Sequence, residues 1–264
     1  MKFELQRKHK FLIHSLLIGA LVSWFSFDSG VHRPAIFILA VTLVIVGVFV
    51  AQYPNINLRN YFMNVLLPIH LVLGAVLSLV YFPNIALPLK LIGFISFTIL
   101  FYIVLLINNV FLVVEERTET IPLYRVAVTW SQIILIVVAI PFFAGVFKLP
   151  VNTFYQNIIA AFSSFLFSLY LIWSVRFDKD VKTLEAGEKY LTSLFIAFGV
   201  LIFGVSFSFV PTESFLRALF VSSVLMFFLS YFQNHFKNSI TKKIVTEYLL
   251  ICLFFLVLLI VFTP

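Results

Sequence analysis

Charge is scarce in this chain. Only 11% of its 264 residues are Asp, Glu, Lys or Arg, where a soluble domain carries about 25%. A soluble globule with so few charges cannot cover its own apolar interior. Cysteine is nearly absent as well. Cys252 stands alone inside an apolar run, so no internal disulfide can form and nothing is learned of the redox compartment. No Asp or Glu falls near the middle of any apolar run. That argues against an ion-coupled carboxylate site and against a catalytic carboxylate dyad. Glycine loops that cradle phosphate, Cys/His metal spacings and a nucleophile elbow are missing too. No cofactor and no bound metal are therefore expected.

Apolar residues make up 62% of the chain, with 34 phenylalanines among them. A bilayer is the solvent in which such a surface is stable. A span needs about 20 apolar residues to cross a hydrocarbon core about 30 Å thick. Nine segments qualify: Phe11–Phe27, Pro34–Ala51, Tyr61–Phe82, Ala86–Val114, Pro122–Phe147, Thr153–Val175, Glu188–Val210, Glu213–Phe232 and Lys243–Phe262. They must be helices, because backbone groups in lipid need hydrogen-bond partners within the segment. The expected fold is an all-α polytopic membrane bundle forming a single domain over residues 1–264. The basic start and the first run resemble a signal peptide, but bulky Trp24 and Phe25 occupy the place of a cleavage site. An uncleaved signal anchor is expected.

The net charge of +7 is spread in short clusters between the runs. It forms no nucleic-acid patch, so nucleic acid is not an expected partner. With the N-terminus cytoplasmic, the inner side carries Lys2, Arg7, Lys8, Lys10, Arg59, Arg117, Arg125, Arg176, Lys179, Lys182, Lys189, Lys237, Lys242 and Lys243. Only Arg33, Lys90, Lys148 and Arg217 remain outside. That asymmetry follows the positive-inside rule and places the C-terminus, Thr263–Pro264, outside. Tyr61, Tyr124, Tyr190 and Tyr248 fall where the chain re-enters from inner loops, as an interfacial belt would. The short loops suit the cytoplasmic membrane of a bacterium.

Polar residues inside the spans are the usual pointers to function. His70 lies about nine residues into the third run, about 13 Å deep at 1.5 Å per residue. Pro68 precedes it and cannot donate to the Asn64 carbonyl. A kinked helix with a free carbonyl and a nearby imidazole is a candidate cavity wall. Asn64, Asn108, Asn109, Gln132 and Glu247 fall in the inner halves of their helices and are further candidates for a vestibule. A hydrogen bond across a helix pair is the favoured explanation of each. Glu247 can pair with Lys243, and Glu213 with Arg217, at helical spacing. Glu115–Glu116 resembles the opening of the intramembrane CAAX-type protease motif. Thr120 stands where that motif has Arg, and no paired downstream histidines follow, so the family does not fit.

Small residues at intervals of four mark close helix contacts: Ser15, Gly19 and Ser23; Ala160, Ser164 and Ser168; Ala218 and Ser222. The last run has no such stripe beyond Thr246 and is expected to face lipid. Residues 160–191 and 219–249 share a pattern of Ser-Ser, Phe-rich run, basic loop and Tyr-Leu, which suggests a duplicated hairpin. Two classes of function fit. The first is a transport-type protein or the membrane subunit of a transporter. The second is a non-catalytic membrane scaffold that docks a protein partner. A lipid-modifying enzyme is third, since no catalytic constellation is visible.

Overall fold

The computed structural model describes residues 6–28, 30–82, 85–117, 122–178, 180–182 and 184–262. Lys2, Glu119, Thr120, Lys179 and Thr263–Pro264, and the side chain of Arg59, lie outside that description. Among the described residues nine helices are long and apolar enough to cross a membrane. They are α1 (Arg7–Phe27), α2 (Arg33–Gln52), α3 (Leu58–Tyr81), α4 (Leu87–Arg117), α5 (Pro122–Val146), α6 (Thr153–Val175), α7 (Ala186–Ser206), α8 (Ser214–Phe236) and α9 (Lys242–Val261). A single 3-10 turn, Phe207–Phe209, follows α7.

The ends obey local chemistry. Asn152 caps α6 by accepting from the Phe154 backbone N–H, and Thr241 caps α9 through Ile244. The polar Gln233–Asn234–His235 stretch stays helical, so α8 runs on to Phe236, past the expected end at Phe232. It stops at Asn238, which adopts the left-handed conformation with φ 50°. Asn238 N–H then donates to His235 O, and Ser239 N–H to Asn234 O. These two bonds close orphan carbonyls in the Schellman pattern.

The chain divides into two compact units, Met1–Ile134 and Leu135–Pro264. In the first, α1 packs against α2, α3 and α4. Its small stripe faces inward: Ser15 is buried, and a Cβ at Gly19 would run into the Thr98 side chain on α4. His14, one residue before Ser15, fills the space over Gly47 of α2 and meets Phe101 of α4 edge-on. Arg7 ties the start of α1 to the α2–α3 connection through Asn55, at 2.7 Å.

In the second unit α6 pairs with α7, α8 pairs with α9, and α8 also lies on α6 and α7. Ala160, Ser164 and Ser168 are buried, as are Ala218 and Ser222. Lys237 and Asp178 link the two inter-helix loops at 2.8 Å, beside a bond from Lys182 N–H to Phe236 O. Helix α9 stands at the margin, with Leu259 its single buried residue. Its Leu249, Leu250, Leu253, Phe254 and Val257 are all exposed. Both serine pairs of the suggested repeat are buried. Their hydroxyls differ, since Ser164 donates to Ala160 O and Ser223 to Phe220 O, while Ser222 Oγ is without a partner.

Candidate functional site

Three polar features stand out against this apolar background. The first begins with Pro68, which leaves the Asn64 carbonyl without its helical donor. Asn108 of α4 supplies the replacement, donating Nδ2–H to Asn64 O at 2.9 Å. Asn64 Nδ2 in turn donates to Asn60 O, and Asn60 Nδ2 to a carboxylate oxygen of Glu115 at 2.6 Å. A ladder of carboxamides thus runs along the α3–α4 contact from the helix ends to the proline. Asn64 and Asn108 are fully buried in it, and the Asn64 Oδ1 has no partner. His70 is buried two residues beyond Pro68, where its Nδ1–H donates to Leu66 O at 2.8 Å. The group works as a helix clamp.

The second feature is a groove of about 360 Å³ between α4 and the first half of α5. Both walls lie in the first unit. Ile103, Leu106 and Val110 line it from α4, and Val126 and Ala127 from α5. The polar groups in the lining are the Asn109 amide and the Trp130 indole. Asn109 and Trp130 make no hydrogen bond among the described residues, and Asn109 Oδ1 is occluded without a donor. At 360 Å³ the groove falls at the lower end of small-molecule sites, which run from about 300 to about 1,000 Å³. Towards the helix ends the walls meet through Phe111 and Tyr124, ring centroids 6.0 Å apart.

The third feature is not legible as a site in the sequence. Arg217, in the first turns of α8, is 8% exposed. The expected Glu213–Arg217 pair is not formed. Glu213 is exposed, and the guanidinium turns inward. Its Nη2 donates to Asn157 Oδ1 at 2.9 Å, to Ser208 Oγ and to Gly204 O. Asn157 Nδ2 donates to Thr153 O and Ser208 Oγ, which fixes its orientation. The cation also lies 4.3 Å from the centre of the Phe147 ring, a favourable cation–π contact. A Cβ at Gly204 would press on Asn157 Oδ1, so the close approach requires glycine there. Three neutral acceptors and an aromatic face compensate better than one exposed carboxylate, whose pairing is worth little.

Of the sequence candidates, Asn109 alone lines the groove. Asn64, Pro68 and Asn108 belong to the clamp, and His70 stands beside it. Gln132 is half-buried on α5. Glu247 lies on the exposed start of α9, 3.9 Å from Lys243. Sequence reasoning does not single out Trp130, because an aromatic near a helix end reads as part of an interfacial belt. Tyr124 falls in that expected belt, but its ring is buried against Phe111. Among the described residues no group of three or more His, Cys, Asp or Glu is placed to hold a metal. Compared with protein-family models, curated proteins and solved structures, the chain matches none.

Proposed function

We propose that this chain is a transport-type membrane protein that takes a small apolar or amphipathic molecule sideways from the bilayer into the α4–α5 groove. The observation that supports it is the groove itself: about 360 Å³ of apolar space, with one amide and one indole as its polar lining. A molecule that dissolves in lipid can enter it without crossing water. In this reading the N-terminus is cytoplasmic, the C-terminus external, and the groove lies in the cytoplasmic half of the membrane. A bacterial cytoplasmic membrane is the proposed location.

Flux tests the reading. The purified protein is reconstituted into liposomes, and the transbilayer movement of fluorescent amphiphiles is followed. Val110→Trp, which fills the groove from one wall, should abolish movement while leaving the melting temperature unchanged. Unchanged flux in that variant overturns the reading. A second reading, a scaffold that docks a membrane partner, rests on α9. Its row of exposed large apolar residues offers a helix-sized face. Photo-crosslinking from position 254 in native membranes tests it, and capture of lipid alone counts against it.

A further inference from the structure

We propose that the α4–α5 groove seats one acyl chain of a diacyl glycerophospholipid and holds that chain's ester carbonyl. This rests on the reading of the groove as a ligand site and names its ligand.

Two polar groups stand in the lining. An indole N–H can only donate, and Trp130 finds no acceptor among the described residues. Trp130 is half exposed, at 50%. Asn109 Nδ2–H likewise donates to no acceptor among the described residues. An unsatisfied polar group surrounded by hydrocarbon is strongly unfavourable. Alkyl chains offer no acceptor, so the complementary ligand is apolar and carries a carbonyl-type oxygen.

Depth narrows the choice. Asn109 lies eight residues before the end of α4 at Arg117, and Trp130 eight residues after the start of α5 at Pro122. At 1.5 Å per residue both sit about 12 Å from the same ends of an antiparallel pair. The 31 residues of α4 span about 46 Å, some 16 Å more than the hydrocarbon core. Its ends therefore project, and the two donors fall a few ångströms inside the hydrocarbon boundary. Glycerol esters occupy that level of a leaflet. Arg117 closes α4, and Arg125 stands in the first turn of α5. Glu115 and Glu116 share that end, so it carries both signs of charge. The groove is apolar further in, as a chain requires.

The test separates carbonyl recognition from simple chain burial. Purified protein is offered an equal mixture of two phosphatidylglycerols with identical chain lengths, one diacyl and one dialkyl-ether. Bound lipid is counted by native mass spectrometry. The ether lipid fits the groove but has no carbonyl. Wild type should retain the diacyl lipid about fivefold over the ether, the ratio expected from one hydrogen bond. Trp130→Phe and Asn109→Leu should reduce that preference towards unity while retaining bound lipid. Val110→Trp should lose both lipids. Equal retention of the two lipids by wild type overturns the carbonyl assignment. Retention unaffected by Val110→Trp removes the lipid from the groove altogether. If Val110→Trp loses lipid yet leaves flux intact, the lipid seat stands and the transport reading fails.

Discussion

Pro68 and Asn108 give a prediction that can be worked to a number. Replacing Asn108 with Leu keeps the number and branching of side-chain heavy atoms and removes the donor to Asn64 O. A buried acceptor left unsatisfied costs about 1–3 kcal/mol. Side-chain hydrogen bonds within membranes average only about 0.6 kcal/mol, because the separated helices find other partners. Here the second effect is weak. Pro68 denies the Asn64 carbonyl its helical donor in the separated α3 as much as in the bundle, so the contribution should lie near the upper membrane value, about 1.5 kcal/mol. Asn108 has further contacts of its own, and the single variant loses those too. Pro68→Ala isolates the bond, because it restores a backbone N–H at position 68 that can reach Asn64 O. In the Pro68→Ala background, Asn108→Leu should cost about 1–1.5 kcal/mol less than in wild type, a coupling of the size seen between directly interacting residues. The assay is reversible unfolding of all four proteins in mixed micelles, followed by helical circular dichroism. Equal costs in the two backgrounds would mean that Asn108 does not act through the Asn64 carbonyl.

Other features yield shorter tests. Asn157→Leu removes one of three acceptors of a buried guanidinium and should destabilise the chain by about 1.5–3 kcal/mol, and adding Arg217→Met should recover part of the loss by removing the charge. Thermal unfolding decides it: a double variant less stable than Asn157→Leu alone contradicts this account. Gly204→Ala should weaken the same network by pushing Asn157 aside, and should lower the melting temperature more than Gly93→Ala, where a Cβ meets open space. Asp178→Asn removes the partner of Lys237 between the two loops of the second unit and should increase proteolysis there. A C-terminal fluorescent-protein fusion should stay dark and a phosphatase fusion active. A bright fluorescent fusion would reverse the proposed orientation.

The nine helices are legible in the sequence because hydropathy alone decides where an apolar chain can cross a membrane. The observed bounds of α6, Thr153–Val175, match the expectation from sequence. The end of α8 is not legible, because Gln233–His235 reads as a loop until the left-handed Asn238 is seen to close the helix. Arg217 shows a different limit. Helical spacing offers it Glu213, but the acceptors that win lie on α6 and just after α7, and no local pattern reveals them. Pro68 falls between these cases. Its orphaned carbonyl is readable from one helix, whereas the donor that satisfies it stands 44 residues away.

The same contrast separates structural from binding residues here. Polarity within a span does not distinguish Asn108 from Asn109, which are neighbours in sequence and equal candidates by that measure. One helical position rotates a side chain by about 100°. That step turns Asn108 into the α3 contact, where it completes a backbone hydrogen bond. It turns Asn109 towards the groove, where no protein acceptor or donor meets it. A fold dominated by apolar packing has every reason to avoid an unpaired amide beside an unpaired indole, since hydrocarbon satisfies neither. A ligand carbonyl would accept from the Trp130 indole N–H and the Asn109 Nδ2–H, the two donors without an acceptor here. The pairing state of each polar group, which requires the tertiary structure, therefore distinguishes the clamp from the proposed seat.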